Sequence, residues 1–119
     1  MALRGNATGI AANIQRMKQV YKITYPTGKI YVGKDSTGSS RYMGSPSIEI
    51  VNADFENLPD EVRRDYTIRK EILWESATAS ESELSAKEVE LIRLFQANDP
   101  AIGYNRWPPF KGGNGPEST

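Results

Sequence analysis

Two tyrosines and a lysine lie close together near the start of the chain. Tyr21 and Tyr31 are ten residues apart, and Lys34 follows three residues later. The chain contains no histidine and no cysteine, which excludes thiolate metal sites and hydrolases that depend on an imidazole. If the protein is an enzyme, its general base must be a tyrosine, lysine, aspartate or glutamate. Any metal must then be a hard cation on oxygen ligands.

One carboxylate, that of Glu88, is predicted to lie on the core side of a helix. Ser80 followed by Glu83 is typical of a capping box, so a helix is predicted from about 81 to 97. Glu88 follows Leu84 by four residues, on the same apolar face. A carboxylate there needs a cation, hydrogen bonds or a cleft, because an unpaired buried charge costs free energy. The alternative is an acid at the edge of the face that reaches water.

A β-hairpin is predicted to carry the two tyrosines. Two strand-like runs, 19–25 and 29–34, flank a Pro-Thr-Gly sequence at 26–28 that has turn composition. If these three residues form the loop, Tyr21 and Tyr31 are diagonal neighbours on one face of the sheet. A two-residue loop would place them on opposite faces.

The remaining elements complete a small mixed fold. Residues 35–47 are rich in glycine and serine and are predicted to form a loop. An amphipathic helix is predicted from Ile48 to Leu58, ended by Pro59, and residues 66–74 suit a third strand. With the closing helix, this predicts an α/β (more narrowly α+β) fold of order β-β-α-β-α. Its small three-stranded, mainly antiparallel sheet is flanked by helices.

Composition favours a single cytoplasmic domain. The chain has 119 residues, of which 38% are hydrophobic and 25% charged, as is usual for soluble proteins. It has no apolar run long enough to span a membrane, no continuous apolar core of a secretion signal and no glycine loop for a nucleotide cofactor. The predicted organisation is an N-terminal extension at 1–18, a folded domain at 19–106 and a Pro/Gly-rich tail at 107–119.

The charge is unevenly distributed, although the formal net charge is zero. Residues 1–45 contain seven Lys or Arg and one acidic residue, a net charge of +6. Residues 46–119 contain eight Lys or Arg and fourteen acidic residues, a net charge of −6. This asymmetry predicts a positive face for a polyanion. Scattered, solvated lysines are the alternative.

The hairpin resembles the paired motifs of the GIY-YIG nuclease superfamily. The run VYKI at 20–23 resembles the first motif, with Val20 and Gln19 in place of the family's isoleucine and glycine. The run YVG at 31–33 keeps the tyrosine and glycine of the second motif. The superfamily includes homing endonucleases, some restriction enzymes and the N-terminal incision domain of bacterial excision-repair proteins.

Residues further along the chain extend this resemblance over roughly 19–106. Arg41 follows the second tyrosine by ten residues, where the family has its active-site arginine, and Lys34 matches a lysine of the repair-protein branch. Glu88, about two turns into the closing helix, resembles the metal-binding glutamate. Asn105 ends a Gly-Tyr-Asn run that resembles the closing motif.

The resemblance implies a metal-dependent endonuclease that hydrolyses DNA phosphodiester bonds. Tyr21 would be the general base or a relay to it, and Tyr31 would orient the water or a phosphate oxygen. A free phenol has a pKa near ~10, so Lys34 and a metal ion would have to lower the pKa of Tyr21. Glu88 would hold one Mg²⁺ or Mn²⁺ ion, and the planar guanidinium of Arg41 would bind phosphate oxygens.

Three residues are expected to support the site. Gly33 belongs to the second motif, and Asn105 is expected to tie the chain after the helix back to the site. Many family members carry His or Tyr four residues after the arginine, where this chain has Ser45. Tyr42 is near enough in sequence to take over that role.

The expected partner is DNA, bound by a monomer or dimer in repair, restriction, or a phage or mobile-element function. The residues expected to contact DNA phosphates are Arg4, Arg16, Lys18, Lys22 and Lys29. In the tail, Trp107 and Phe110 either stack on bases or pack against the domain edge.

Two other functions stay open at this level. The first is a nucleic-acid-binding module that keeps the fold and has lost catalysis, which Ser45 and the weak first motif favour. The second is a general interaction protein whose tyrosines only pack in the core. This last alternative predicts that Tyr21 and Glu88 lie far apart, whereas the nuclease hypothesis places them around one cleft.

Overall fold

The computed structural model describes residues 17–40, 42–44 and 46–111. Four residues discussed above, Arg4, Arg16, Arg41 and Ser45, therefore lie outside the described part of the chain. So do most of the predicted N-terminal extension and the end of the tail.

The described elements form a small α+β domain with the predicted order and one added short helix. They are β1 (Lys18–Thr24), β2 (Ile30–Asp35), α1 (Ile48–Glu56), α2 (Asp60–Arg63), β3 (Arg69–Ser76) and α3 (Glu81–Phe95). The three strands form one sheet in the order β2-β1-β3, and both pairings are antiparallel. None of the helices in this described part is long and apolar enough to cross a membrane.

The hairpin has the three-residue loop that the sequence favoured. Tyr25 N–H donates to Lys29 O at 3.0 Å, and Gly28 adopts a φ of +89° in the loop, a region that glycine reaches without strain. Tyr21 stands opposite Gly33, two pairs along from the Ile23–Tyr31 pair. The two tyrosines are therefore diagonal neighbours on one face, as predicted.

Two of the element boundaries that differ from the prediction do so for identifiable reasons. β3 begins at Arg69 and not at residue 66, because Arg69 pairs with Thr24, the last residue of β1. α3 ends at Phe95 because Gln96 adopts a left-handed conformation with φ 59°. At its start the predicted capping box is present, with Ser80 N–H donating to Glu83 Oε1 at 2.7 Å.

The sheet separates two apolar clusters. Val20 and Val32 pack with Leu84 and Ile92 of α3 on one face. On the other face a cluster of tyrosines packs with α1, and its buried members are Tyr21, Ile23, Tyr25, Val51 and Tyr104. The candidate catalytic tyrosines therefore lie on the face opposite to α3, and Glu88 of α3 must approach them past an edge of the sheet.

Candidate active site

The outer edge of β2 is closed by the chain that follows α3. Ile30 N–H donates to Ile102 O at 3.1 Å, and Tyr104 N–H donates to Ile30 O at 2.8 Å. One step along the edge, Val32 N–H donates to Asn105 Oδ1 at 2.8 Å, and Asn105 Nδ2 donates to Val32 O at 2.7 Å. The Asn105 side chain thus takes the place of a neighbouring strand, and it ties this segment to β2 as predicted.

Glu88 occupies the next position on the same edge. The backbone N–H of Lys34 donates to the Glu88 carboxylate. Half-burial raises the pKa of Glu88, while the Lys34 charge and this hydrogen bond act in the opposite direction. In the described part of the chain, this N–H is the donor found for the carboxylate on the apolar side of α3, which has acceptor positions for further groups.

A cavity of about 420 Å³ opens beside this edge. Its lining includes Tyr31, Glu49, Glu88, Asn105, Arg106 and Trp107. The volume falls within the ~300–1,000 Å³ that is usual for small-molecule sites. Tyr31 and Glu88, which come from opposite sides of the sheet, therefore share one opening.

Tyr21 lies behind Tyr31 and does not line this cavity. The Tyr21 side chain is 1% exposed, and its hydroxyl sits between Gly33 and Gly44. A Cβ on either glycine would overlap that hydroxyl, and a Cβ on Gly33 would also come within 3.1 Å of Tyr31 Cε2. Gly33 therefore leaves room for the paired tyrosines. The two rings are adjacent, but only Tyr31 faces the opening.

Gly44, in the loop after β2, also leaves room for the paired tyrosines, and it was not identified from the sequence. It adopts a φ of +78°, and a side chain there would meet both tyrosines. One glycine within a Gly/Ser-rich loop gives no signal that distinguishes it, because the requirement comes from Tyr21 on another strand.

Burial raises the pKa of Tyr21, and neighbouring Tyr31, Tyr42, Asp35 and Glu88 raise it further. The expected lowering by Lys34 is not found in the protein alone. Lys34 Nζ instead donates to Ser85 Oγ of α3 at 2.6 Å. Tyr21 is therefore a neutral phenol at pH 7 unless further positive charge is brought to the site.

A different cation, Lys70 of β3, lies over the Tyr21 ring with its Nζ 4.7 Å from the ring centroid. Lys70 Nζ also donates to Ser39 O at 2.9 Å, Ser40 O at 3.4 Å and Tyr42 O at 2.7 Å. Ser40 and Tyr42 are the neighbours of Arg41 in the chain. Lys70 thus fixes the backbone on both sides of that position, and nothing in its sequence context indicated such a role.

The other anchor of this loop is Asp35, at the end of β2. Its carboxylate accepts from Thr37 N–H at 2.8 Å, Thr37 Oγ1 at 2.7 Å and Ser39 N–H at 2.8 Å. Burial opposes ionisation of Asp35, but these hydrogen bonds outweigh it and lower the pKa. Tyr42, expected to support the site, packs edge-on against Tyr21 with ring centroids 6.0 Å apart.

The described lysines that were expected to contact DNA are each paired with an acid of this chain. The three pairs are Lys18–Glu81 at 3.9 Å, Lys22–Glu71 at 3.3 Å and Lys29–Asp54 at 3.1 Å. The acidic second part of the chain therefore folds onto the basic first part and offsets its charge at these places.

The donors present fit one hard cation. Among the described residues, no three acidic side chains gather at one place. Mg²⁺ is often bound by one or two carboxylates, with waters and substrate phosphates completing its shell. Glu88 supplies one such carboxylate in the cavity, and Glu49 lies on the same lining.

Comparison with protein-family models, curated proteins and solved structures gives no significant match for this chain.

Proposed function

We propose that this protein is a metal-dependent endonuclease of the GIY-YIG type that hydrolyses DNA phosphodiester bonds. The observation that carries the proposal is the meeting of Tyr31 and the half-buried Glu88 in one cavity, with Tyr21 directly behind. Glu88 also lies close enough to Tyr21 for its charge to raise the pKa of that phenol. A nuclease of this type needs Glu88 close to Tyr21, whereas a protein whose tyrosines are purely structural does not need the two residues to be close.

Glu88 is the residue that would hold the cation. Its raised pKa reflects burial that is only partly compensated, and a divalent cation would stabilise the ionised carboxylate. A cation bound there would neutralise charge that develops on the scissile phosphate. The Lys34 N–H would occupy one acceptor position of the carboxylate and leave others for a cation.

The tyrosines would handle protons and phosphate oxygens. Tyr31, on the cavity wall, can donate its O–H to a phosphate oxygen or accept from an attacking water. Tyr21 is buried and neutral. Of its two possible roles, general base or proton relay to the base, this favours the relay. Gly33 and Gly44 leave room for the Tyr21 hydroxyl beside the Tyr31 ring.

A second candidate is a nucleic-acid-binding module without turnover. It is favoured by the raised pKa of Tyr21, which makes a phenolate base costly. The two candidates differ in one observable, the breakage of a phosphodiester bond.

The test is nicking of supercoiled plasmid with Mg²⁺, with Mn²⁺ and with EDTA, comparing wild type with Glu88→Gln. Glutamine can still accept the Lys34 N–H, so this variant keeps the local fold and loses the charge. Glu90→Gln is the matched control, since Glu90 is an exposed acid on the same helix. The nuclease proposal expects metal-dependent nicking that Glu88→Gln abolishes and Glu90→Gln retains. Absence of cleavage of both the plasmid and single-stranded DNA by every protein, or equal nicking by Glu88→Gln, would overturn it.

A further inference from the structure

Two exposed side chains, Arg106 and Trp107, stand at the cavity that contains Tyr31 and Glu88. The Trp107 side chain is 67% exposed, whereas the other tryptophan, Trp74, packs against the core. Arg106 is exposed, and in the described part of the chain it has neither an ion pair nor a hydrogen bond through its side chain. A large aromatic and an uncompensated cation are therefore adjacent at the mouth of the site.

The backbone that carries these two residues is fixed on both sides. Before them, Asn105 bonds to Val32 through its side chain, and Asn105 N–H donates to Ala97 O at 3.0 Å. After them, the buried Asn98 donates its Nδ2 to Pro108 O at 2.7 Å. The backbone that carries Arg106 and Trp107 is therefore held against the folded domain before any ligand arrives, which reduces the entropy cost of ordering it on binding.

The chemistry of the pair matches one nucleotide. An indole face stacks on any nucleobase, and a guanidinium binds phosphate oxygens through a planar fork of donors. The acidic Glu49 and Glu88 on the cavity lining disfavour an anion unless a cation such as Arg106 is present.

We propose that Arg106 and Trp107 bind one unpaired nucleotide beside the scissile phosphate, with the base on Trp107 and its phosphate on Arg106. This inference rests on the proposed nuclease function and narrows its substrate to DNA with unpaired bases. A paired base inside a duplex has both faces covered by its neighbours, so Trp107 can stack only where the base is single-stranded or at an end.

The experiment measures binding in EDTA, so that cleavage plays no part. In a Trp74→Phe background Trp107 is the sole tryptophan, since the chain contains two. Its fluorescence is titrated with single-stranded oligodeoxythymidine and with a closed duplex capped by hairpins at both ends. The inference expects quenching by the single strand and much weaker quenching by the capped duplex.

Variants of the full chain assign the two contacts. Trp107→Ala should weaken single-strand binding by about five- to a hundredfold, the range measured for one stacked base. Trp107→Phe should retain most of the affinity. Tyr66→Ala should bind as wild type does, because Tyr66 is a similarly exposed aromatic, at 54%, that does not line the cavity. Arg106→Gln should reduce the slope of log affinity against log salt by about 0.7, and Arg106→Lys should restore it.

The inference would be overturned if single-stranded DNA did not quench Trp107 fluorescence and Trp107→Ala bound that DNA with unchanged affinity. It would also be overturned if the single strand and the capped duplex quenched Trp107 equally. The outcome is separable from that of the nuclease proposal. Stacking without metal-dependent cleavage of either plasmid or single-stranded DNA leaves the nucleotide site and removes the nuclease, whereas cleavage without stacking does the reverse.

Discussion

The Asn105 side chain closes the edge of β2, and its removal should destabilise the fold more than that of a typical polar residue. Asn105→Ala removes both side-chain hydrogen bonds to Val32. Val32 is 0% exposed, so water cannot easily replace them. Each unsatisfied buried backbone group costs about 1–3 kcal/mol, and the two together predict a loss of roughly 2–6 kcal/mol. That is a large share of the ~5–15 kcal/mol by which most domains are stable.

Urea denaturation of the two proteins, monitored by circular dichroism, measures this loss as a lower midpoint with an unchanged slope. Asn52→Ala is the control, because Asn52 is exposed on α1 and should change stability by no more than about 0.5 kcal/mol. If Asn105→Ala costs under about 1 kcal/mol, water replaces the side chain on Val32 and the edge-closing argument is refuted.

Three further predictions concern the residues that shape the site. Gly44→Ala should destabilise the protein more than Gly28→Ala. Both glycines have positive φ, but a Cβ on Gly44 overlaps tyrosine atoms, whereas a Cβ on Gly28 meets open space. Thermal melts compare the two variants, and equal losses of stability would contradict the packing of Gly44 against the tyrosines. Lys70→Met should cost about 1–3 kcal/mol and slow nicking. Lys87→Met removes a partly exposed ion pair with Glu90, so it should cost under about 1 kcal/mol and leave nicking unchanged. Equal effects of the two substitutions would contradict the anchoring role of Lys70. Because the pKa of Glu88 is raised in the folded protein, ionisation of this carboxyl opposes folding at pH values above its unfolded pKa of ~4.3. Glu88→Gln should therefore be more stable than wild type at pH 7, and the gain in stability should disappear as the pH falls below that pKa. A gain that persists in acid would show that the charge of Glu88 is not its cause.

Local pattern was enough to predict the hairpin and the closing helix. It left two registers open for the hairpin, because the length of the loop decides whether Tyr21 and Tyr31 share a face, and the structure has the three-residue loop. The capping residues likewise set the start of α3. These features depend on residues near one another in the chain, which is why the sequence specifies them.

Features that depend on distant residues could not be predicted. Lys70 and Ser39 are 31 residues apart, and only the pairing of β3 with β1 brings that amine to the loop after β2. The start of β3 depends in the same way on where its partner strand ends. The pKa of Tyr21 rises because several elements bury it, whereas the family resemblance implied a lowered value.

Glu88 shows how far a sequence argument reaches into the site. Its position on the apolar face of α3 indicated that the carboxylate needs a partner or a cleft. The structure supplies both, a backbone donor from Lys34 and the cavity shared with Tyr31. The identity of the donor depends on which N–H groups of β2 point outwards, and that requires the sheet order.

The most direct test of the central claim is the rate of Mg²⁺-dependent plasmid nicking by Tyr21→Phe, by Tyr31→Phe and by the double variant, with Tyr66→Phe as control. Each single variant removes one hydroxyl, and each should slow nicking by about a hundredfold or more. The double variant should lose little beyond the larger single effect, because the two hydroxyls act as one unit. Single variants that nick at the wild-type rate would contradict the claim that these tyrosines form a catalytic site.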